Sequence, residues 1–150
     1  MRGVHRATLS YDWILEMTAL LIVGSVFVFL AAAIHLMIFV FESILWSKPS
    51  TWKRFGLKTQ ADADTVKPMA FNQGFYNAFL AIGAGAGLVM LGSENCVQAG
   101  FALAIFACLS MVLAAVVLIA SSPKLWRAAL TQGAAPLLGI VLLVAALLTG

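Results

Sequence analysis

Charge is what this sequence has least of. Asp, Glu, Lys and Arg together make up 10% of its 150 residues, against about a quarter in an ordinary soluble domain. Apolar residues make up 63%, and the mean hydropathy is +1.02. A chain this small cannot hide so much apolar surface from water, so its solvent must be lipid. Long hydrophilic stretches are also lacking. The longest runs from Ser47 to Lys67, which leaves no room for a separate soluble domain. There is no Gly-rich phosphate loop, no zinc-type pairing of cysteines and no nucleophile elbow. The sequence therefore implies no cofactor and no metal site. The two cysteines are Cys96, in a short turn, and Cys108, which lies about 18 Å further along a helix at the standard rise. They are too far apart to bridge, and Cys108 reads as a small apolar packing residue. The net charge of +3 does not point to nucleic acid, because the cations flank hydrophobic segments, where they set topology and attract anionic headgroups.

What remains is a set of apolar runs. A membrane helix needs about 20 mostly apolar residues, and four stretches meet or approach that: 18–46, 68–92, 97–120 and 134–149. The expected fold is all-α, a polytopic membrane protein built as an up-down bundle of four transmembrane helices. Residues 1–17 read as an N-terminal extension and 18–150 as the four-helix domain. The first apolar run lies too deep and is too long for a cleaved leader, so it reads as a retained anchor. Pro68 suits the first turn of the second helix, where its missing N–H costs nothing. Ser122-Pro123 breaks the chain after the third.

The basic residues are distributed unevenly. Lys48, Lys53, Arg54, Lys58 and Lys67 follow the first span, and Lys124 and Arg127 follow the third. The other side has only Arg2 and Arg6. Loops 47–67 and 121–133 are therefore expected in the cytoplasm and both termini outside, in a bacterial inner membrane. Trp46, Trp52 and Trp126 at one face, with Tyr11 and Trp13 at the other, fit interfacial belts. Asp12 and Glu16 before the first helix, and Asp62 and Asp64 before the second, complement helix dipoles. His5 sits in the tail and carries no argument.

Gly83 and Gly87 form a Gly-x-x-x-Gly pair in the second helix, a seam along which backbones approach closely. It serves packing within the chain or against a second copy.

The chemically distinctive residues are polar ones placed inside apolar helices, where their cost marks them for attention. His35 and Glu42 are seven apart, two turns of one face. Asn72, Gln73, Tyr76 and Asn77 occupy an arc about 140° wide at 100° per residue. Gln132 opens the fourth helix. Counting the rise from the basic loops, all of these converge on the cytoplasmic half of the bundle. Two readings stay open. In one, the polar groups fix helix register through interhelical hydrogen bonds worth about 0.6 to 2 kcal/mol each. In the other, they line a pocket in which the carboxyl and imidazole exchange protons or hold a head group, and the amides orient it. One carboxylate with one imidazole falls short of the three or four ligands a borderline metal wants.

These residues also carry a family resemblance. The run His35 to Trp46 with its basic loop and Phe55-Gly56-Leu57, the block Asn72-Gln73-Gly74-Phe75-Tyr76-Asn77-Ala78-Phe79-Leu80, and Gln132-Gly133-Ala134-Ala135-Pro136 together resemble the small bacterial membrane proteins grouped as DUF1304. The resemblance covers roughly residues 20 to 149 and implies a four-helix membrane protein of uncharacterised activity. Two departures stand out: the third helix lacks glycines near its end, and the first seventeen residues are extra.

Three functions follow as expectations. The first is binding, and passage, of a small amphipathic or lipophilic molecule in the polar pocket. The second is an intramembrane isomerase using Glu42 and His35 as acid and base, although about 10 Å of axial separation stands between them. The third is an accessory subunit of a larger membrane complex. The expected partners are membrane lipids, a small lipophilic ligand, and a second copy or a complex subunit.

Overall fold

The computed structural model describes residues 2–149, with side chains from residue 13 onward. Met1 and Gly150 lie outside the described residues, as do the side chains of Arg2, His5, Arg6, Tyr11 and Asp12, on which part of the topological and interfacial reading fell. The chain is helical, in the order α1 (Arg2–Phe39), a π-helical segment (Val40–Ile44), a short α2 (Pro49–Trp52), a 3-10 turn (Lys53–Phe55), α3 (Gln60–Leu91), α4 (Val97–Ser121), a second 3-10 turn (Pro123–Leu125) and α5 (Trp126–Thr149). Four of these stretches are long and apolar enough to cross a membrane, Trp13–Ile44, Gln60–Leu91, Val97–Ser121 and Pro123–Thr149. This is a multi-pass membrane protein.

The helix boundaries follow from local chemistry. Residues 2–17 continue into the first span, since α1 is one helix from Arg2. Helix α3 starts eight residues earlier than its apolar run. The Thr59 hydroxyl accepts from the Asp62 amide at 3.1 Å and donates to the Asp62 carboxylate at 2.6 Å, a side-chain N-cap. Pro68 is therefore inside the helix and not in its first turn. Its ring nitrogen cannot donate to the Asp64 carbonyl one turn back. Helix α5 also starts early, at Trp126, so Gln132 sits in its second turn and does not open it. Gly56, with φ of 83°, closes the first 3-10 turn in the left-handed conformation that glycine adopts most easily.

Each long helix packs on two neighbours, α1 on α3, α3 on α4, α4 on α5 and α5 on α1, and the diagonal pair α1 and α4 barely meet. The contacts are made by small residues. The buried side of α3 is Ala70, Gly74, Ala78, Ala81, Ala84 and Gly87, a stripe that lets backbones approach and gain dispersion contacts. A Cβ on Gly87 would lie 2.6 Å from the Ala104 nitrogen, and one on Gly100 would lie 2.6 Å from the Leu91 nitrogen. One on Gly83 would meet Ala107 Cβ at 3.7 Å. The glycine seam therefore faces α4 of the same chain. Val28, Cys108, Met111 and Leu143 fill the centre between these approaches. Large apolar side chains cover the outside, with Val89 78% and Leu148 82% exposed, as a lipid-facing surface requires.

Trp46 and Trp52 differ from their expected place at the interface. Both are buried, in a cluster with Ala63 and Ala70 that Phe55, Leu57 and Val66 complete. Trp46 donates its indole N–H to the Ala63 carbonyl at 2.9 Å. The long basic loop is thus folded down against the end of the bundle. Trp13 and Trp126 are half exposed, as side chains of an interfacial belt would be.

Candidate functional site

Glu42 and Ser43, just past the end of α1, are positioned by the π-helical segment. The Leu45 amide bonds to the Val40 carbonyl at 2.9 Å, the five-residue step that defines a π turn. Such a turn holds more residues than an α turn, so side chains beyond it rotate relative to those before it. Glu42 lies at the centre of the segment. The following Ser43 donates to the Phe71 carbonyl at 2.9 Å, tying the segment to α3. Gly74 makes that approach possible, because a Cβ there would overlap the Ser43 hydroxyl and come within 3.1 Å of Glu42 Cβ. Brought this close, Asn77 donates its side-chain N–H to Glu42 Oε2 at 2.9 Å and to its own helix at the Gln73 carbonyl, 3.1 Å away.

Beside this pair is a cavity of about 640 Å³ lined by all four long helices and by the first loop. Its volume lies within the range of small-molecule sites. The inner wall is apolar, formed by Ile34, Met37, Ile38, Leu80 and Ala114. The end nearer the basic loops is mixed, with Glu42, Arg54, Gln73, Asn77, Thr131 and Gln132 set among Phe41, Phe55, Leu118 and Leu125. Tyr76 lines the cavity too. Five of the seven polar residues picked out from the sequence thus surround one space: Glu42, Gln73, Tyr76, Asn77 and Gln132.

The other two do not. Asn72 is exposed on α3 and does not line the cavity. His35 is 1% exposed, does not line the cavity, and donates from Nδ1 to the Ala31 carbonyl at 2.9 Å. The seven-residue spacing from Glu42 counts two α turns, but the π segment intervenes and breaks the register. The acid and base of an isomerase are not brought together here. Among the described residues no three His, Cys, Asp or Glu side chains converge as a metal would need.

Arg54 is the residue that reading by spans overlooked. It belongs to the basic loop, where topology alone accounted for it, yet it lines the cavity. Its Nε–H donates to the Ser50 carbonyl at 3.2 Å, and its guanidinium stands 5.2 Å from the centre of the Phe41 ring. No periodicity marks such a position, because it depends on the loop folding back. Thr131 and Ser121 were passed over as well. Their hydroxyls bond within their own helices, to the Arg127 and Leu118 carbonyls, and so add polar surface at little cost.

The arrangement can accept a molecule with an apolar body and a polar end. It offers a carboxylate, a guanidinium and three amides on one side and aliphatic walls on the other. Residues 29–144 match the model of a family described as a protein of unknown function, DUF1304. The match covers 116 of the 150 residues and includes every residue that lines the cavity. The chain belongs to the DUF1304 family. No curated protein and no solved structure matches it.

Proposed function

We propose that this member of the DUF1304 family binds, and passes, a small amphipathic molecule in the cavity at the basic end of its bundle. The observation that carries this reading is a largely apolar cavity of about 640 Å³ whose polar groups, Glu42, Arg54, Gln73, Asn77 and Gln132, gather towards one end. Glu42 is the central polar contact, with Asn77 fixing its orientation, and Gln73, Tyr76 and Gln132 orient the ligand. In this proposal the protein sits in a bacterial inner membrane with loops 47–67 and 121–133 in the cytoplasm, so that end faces the cell interior.

Native mass spectrometry of the gently purified protein tests the reading, with wild type beside Glu42→Gln. A small molecule retained by the wild type and missing from an equally folded variant supports it. No retained molecule in either sample, together with a variant markedly less stable than the wild type, leaves Glu42 a purely structural role and overturns it.

A further inference from the structure

The seam between α3 and α4 is tight at one end and open at the other. Near the turn that joins them, Gly87 meets Ala104 and Gly100 meets Leu91 with no room for a side chain. Gly83 and Ala107 still face each other one turn on. Two further turns towards the basic end, Tyr76 lies seven residues from Gly83 and Ala114 seven from Ala107, on the same faces of their helices. Parallel helices would bury these positions against each other. Instead Tyr76 is 55% exposed, and Val117, one turn beyond Ala114, is 65% exposed. Both line the cavity. The cavity therefore borders the exposed flank between α3 and α4 on this side of the glycine crossing. That flank lies within the stretches of α3 and α4 apolar enough to cross a membrane.

Arg54 stands at the loop end of the same cavity. Its Nε–H is engaged by Ser50 and its guanidinium stands 5.2 Å from the centre of the Phe41 ring, two contacts that restrain this exposed side chain beside the cavity. A guanidinium presented this way is suited to carboxylate or phosphate oxygens.

Building on the binding reading above, we infer that the ligand is a membrane-resident amphiphile with an anionic head group. It enters sideways between α3 and α4, its head goes to Arg54, and its chain lies along Ile34, Ile38 and Leu80. A cavity of this volume takes one chain, and the lateral opening allows a second chain to stay in the bilayer.

The test uses the full-length protein in phosphatidylcholine vesicles with palmitic acid carrying a photoreactive diazirine in its chain, and the matching palmityl alcohol. Cross-linked peptides are read by mass spectrometry. The acid is expected to label segments 73–80 and 114–121 well above the lipid-facing surface around Phe106, and the alcohol to label them weakly. Arg54→Gln should reduce labelling by the acid about tenfold, the loss expected for one charge-assisted hydrogen-bonded contact. Val117→Trp, which fills the opening, should reduce it while labelling near Phe106 stays the same. Equal labelling by acid and alcohol overturns the head-group assignment without any variant having to fold. Labelling unchanged in Val117→Trp overturns lateral entry. A neutral or cationic molecule that is retained in native mass spectra and lost in Glu42→Gln would overturn this inference while leaving the binding reading intact.

Discussion

Asn77 and Glu42 are joined by a 2.9 Å hydrogen bond that spans 35 residues of chain and links the second transmembrane helix to the π-helical end of the first. It is where the packing of the bundle meets the polar wall of the cavity. Removing either partner therefore perturbs both, and by different amounts.

Asn77→Ala leaves the carboxyl of Glu42 without its donor and should cost about 1 to 2 kcal/mol, within the range for hydrogen bonds to charged groups and between membrane helices. Glu42→Gln keeps an acceptor for the same N–H and should cost under about 1 kcal/mol. Unfolding equilibria in mixed detergent compare the two. An Asn77→Ala variant as stable as Glu42→Gln would show that the bond contributes nothing.

His35 offers the opposite contrast. Its side chain is buried away from the cavity, so His35→Ala should destabilise the protein by about 2 to 3 kcal/mol, as for a large-to-small core substitution. Ligand retention per folded molecule should not change. If ligand is lost from folded His35→Ala, the histidine belongs to the site after all.

Three glycines of α3 should behave differently on substitution by alanine. At Gly87 the new Cβ meets the Ala104 backbone and at Gly74 it meets Ser43, so each should cost about 1 to 3 kcal/mol as overpacking does. At Gly85 nothing lies within 4 Å, and alanine should be neutral or stabilise by up to about 1 kcal/mol through helix propensity. Thermal melting of the three variants side by side reads the order directly.

Trp46 and Trp52 are both buried, yet only Trp46 has a partner for its indole N–H. Trp52 Nε1 has none. Trp46→Phe removes the indole bond to the Ala63 carbonyl, which keeps its partner within α3, and should cost about 0.5 to 1.5 kcal/mol beyond the lost contact area. Trp52→Phe removes an unpaired buried donor, which offsets part of the lost contact area, and should cost less. Equal losses would mean that area alone governs this corner.

The cysteines test the proposed orientation. Cys108 is fully buried and should resist maleimide, whereas Cys96 is half-buried in the turn opposite the basic loops. A membrane-impermeant maleimide added to intact spheroplasts should label Cys96, and should label Lys58→Cys only after permeabilisation. The reverse pattern would invert the topology.

The sequence carried the four helices because the apolar runs are long and the cations are confined to few places. Those signals are local and additive, so they need no knowledge of packing. The glycine seam was legible for the same reason. The site was legible in part: Glu42, Gln73, Tyr76, Asn77 and Gln132 announce themselves as polar residues in apolar helices. His35 did so equally and lies elsewhere, since a π turn, which has no simple compositional mark, alters the register between it and Glu42. Arg54 depends on how a loop folds back, and the burial of Trp46 and Trp52 depends on that same fold. Pro68 misled by its usual preference for a first turn, which the capping pair Thr59 and Asp62 overrode.

The glycine crossing of α3 and α4 is also a fulcrum. Gly87 and Tyr76 are eleven residues apart, about 16 Å along the helix axis at the standard rise. With the backbones in contact at Gly87 and Gly100, sliding α4 along α3 would have to part them, whereas a small swing about that point would not. A swing of about 5° displaces the helix near Tyr76 by about 1.4 Å over that length. The lever is long at the cavity and short at the turn, so such a swing would widen the flank of the bundle while the opposite end kept its packing.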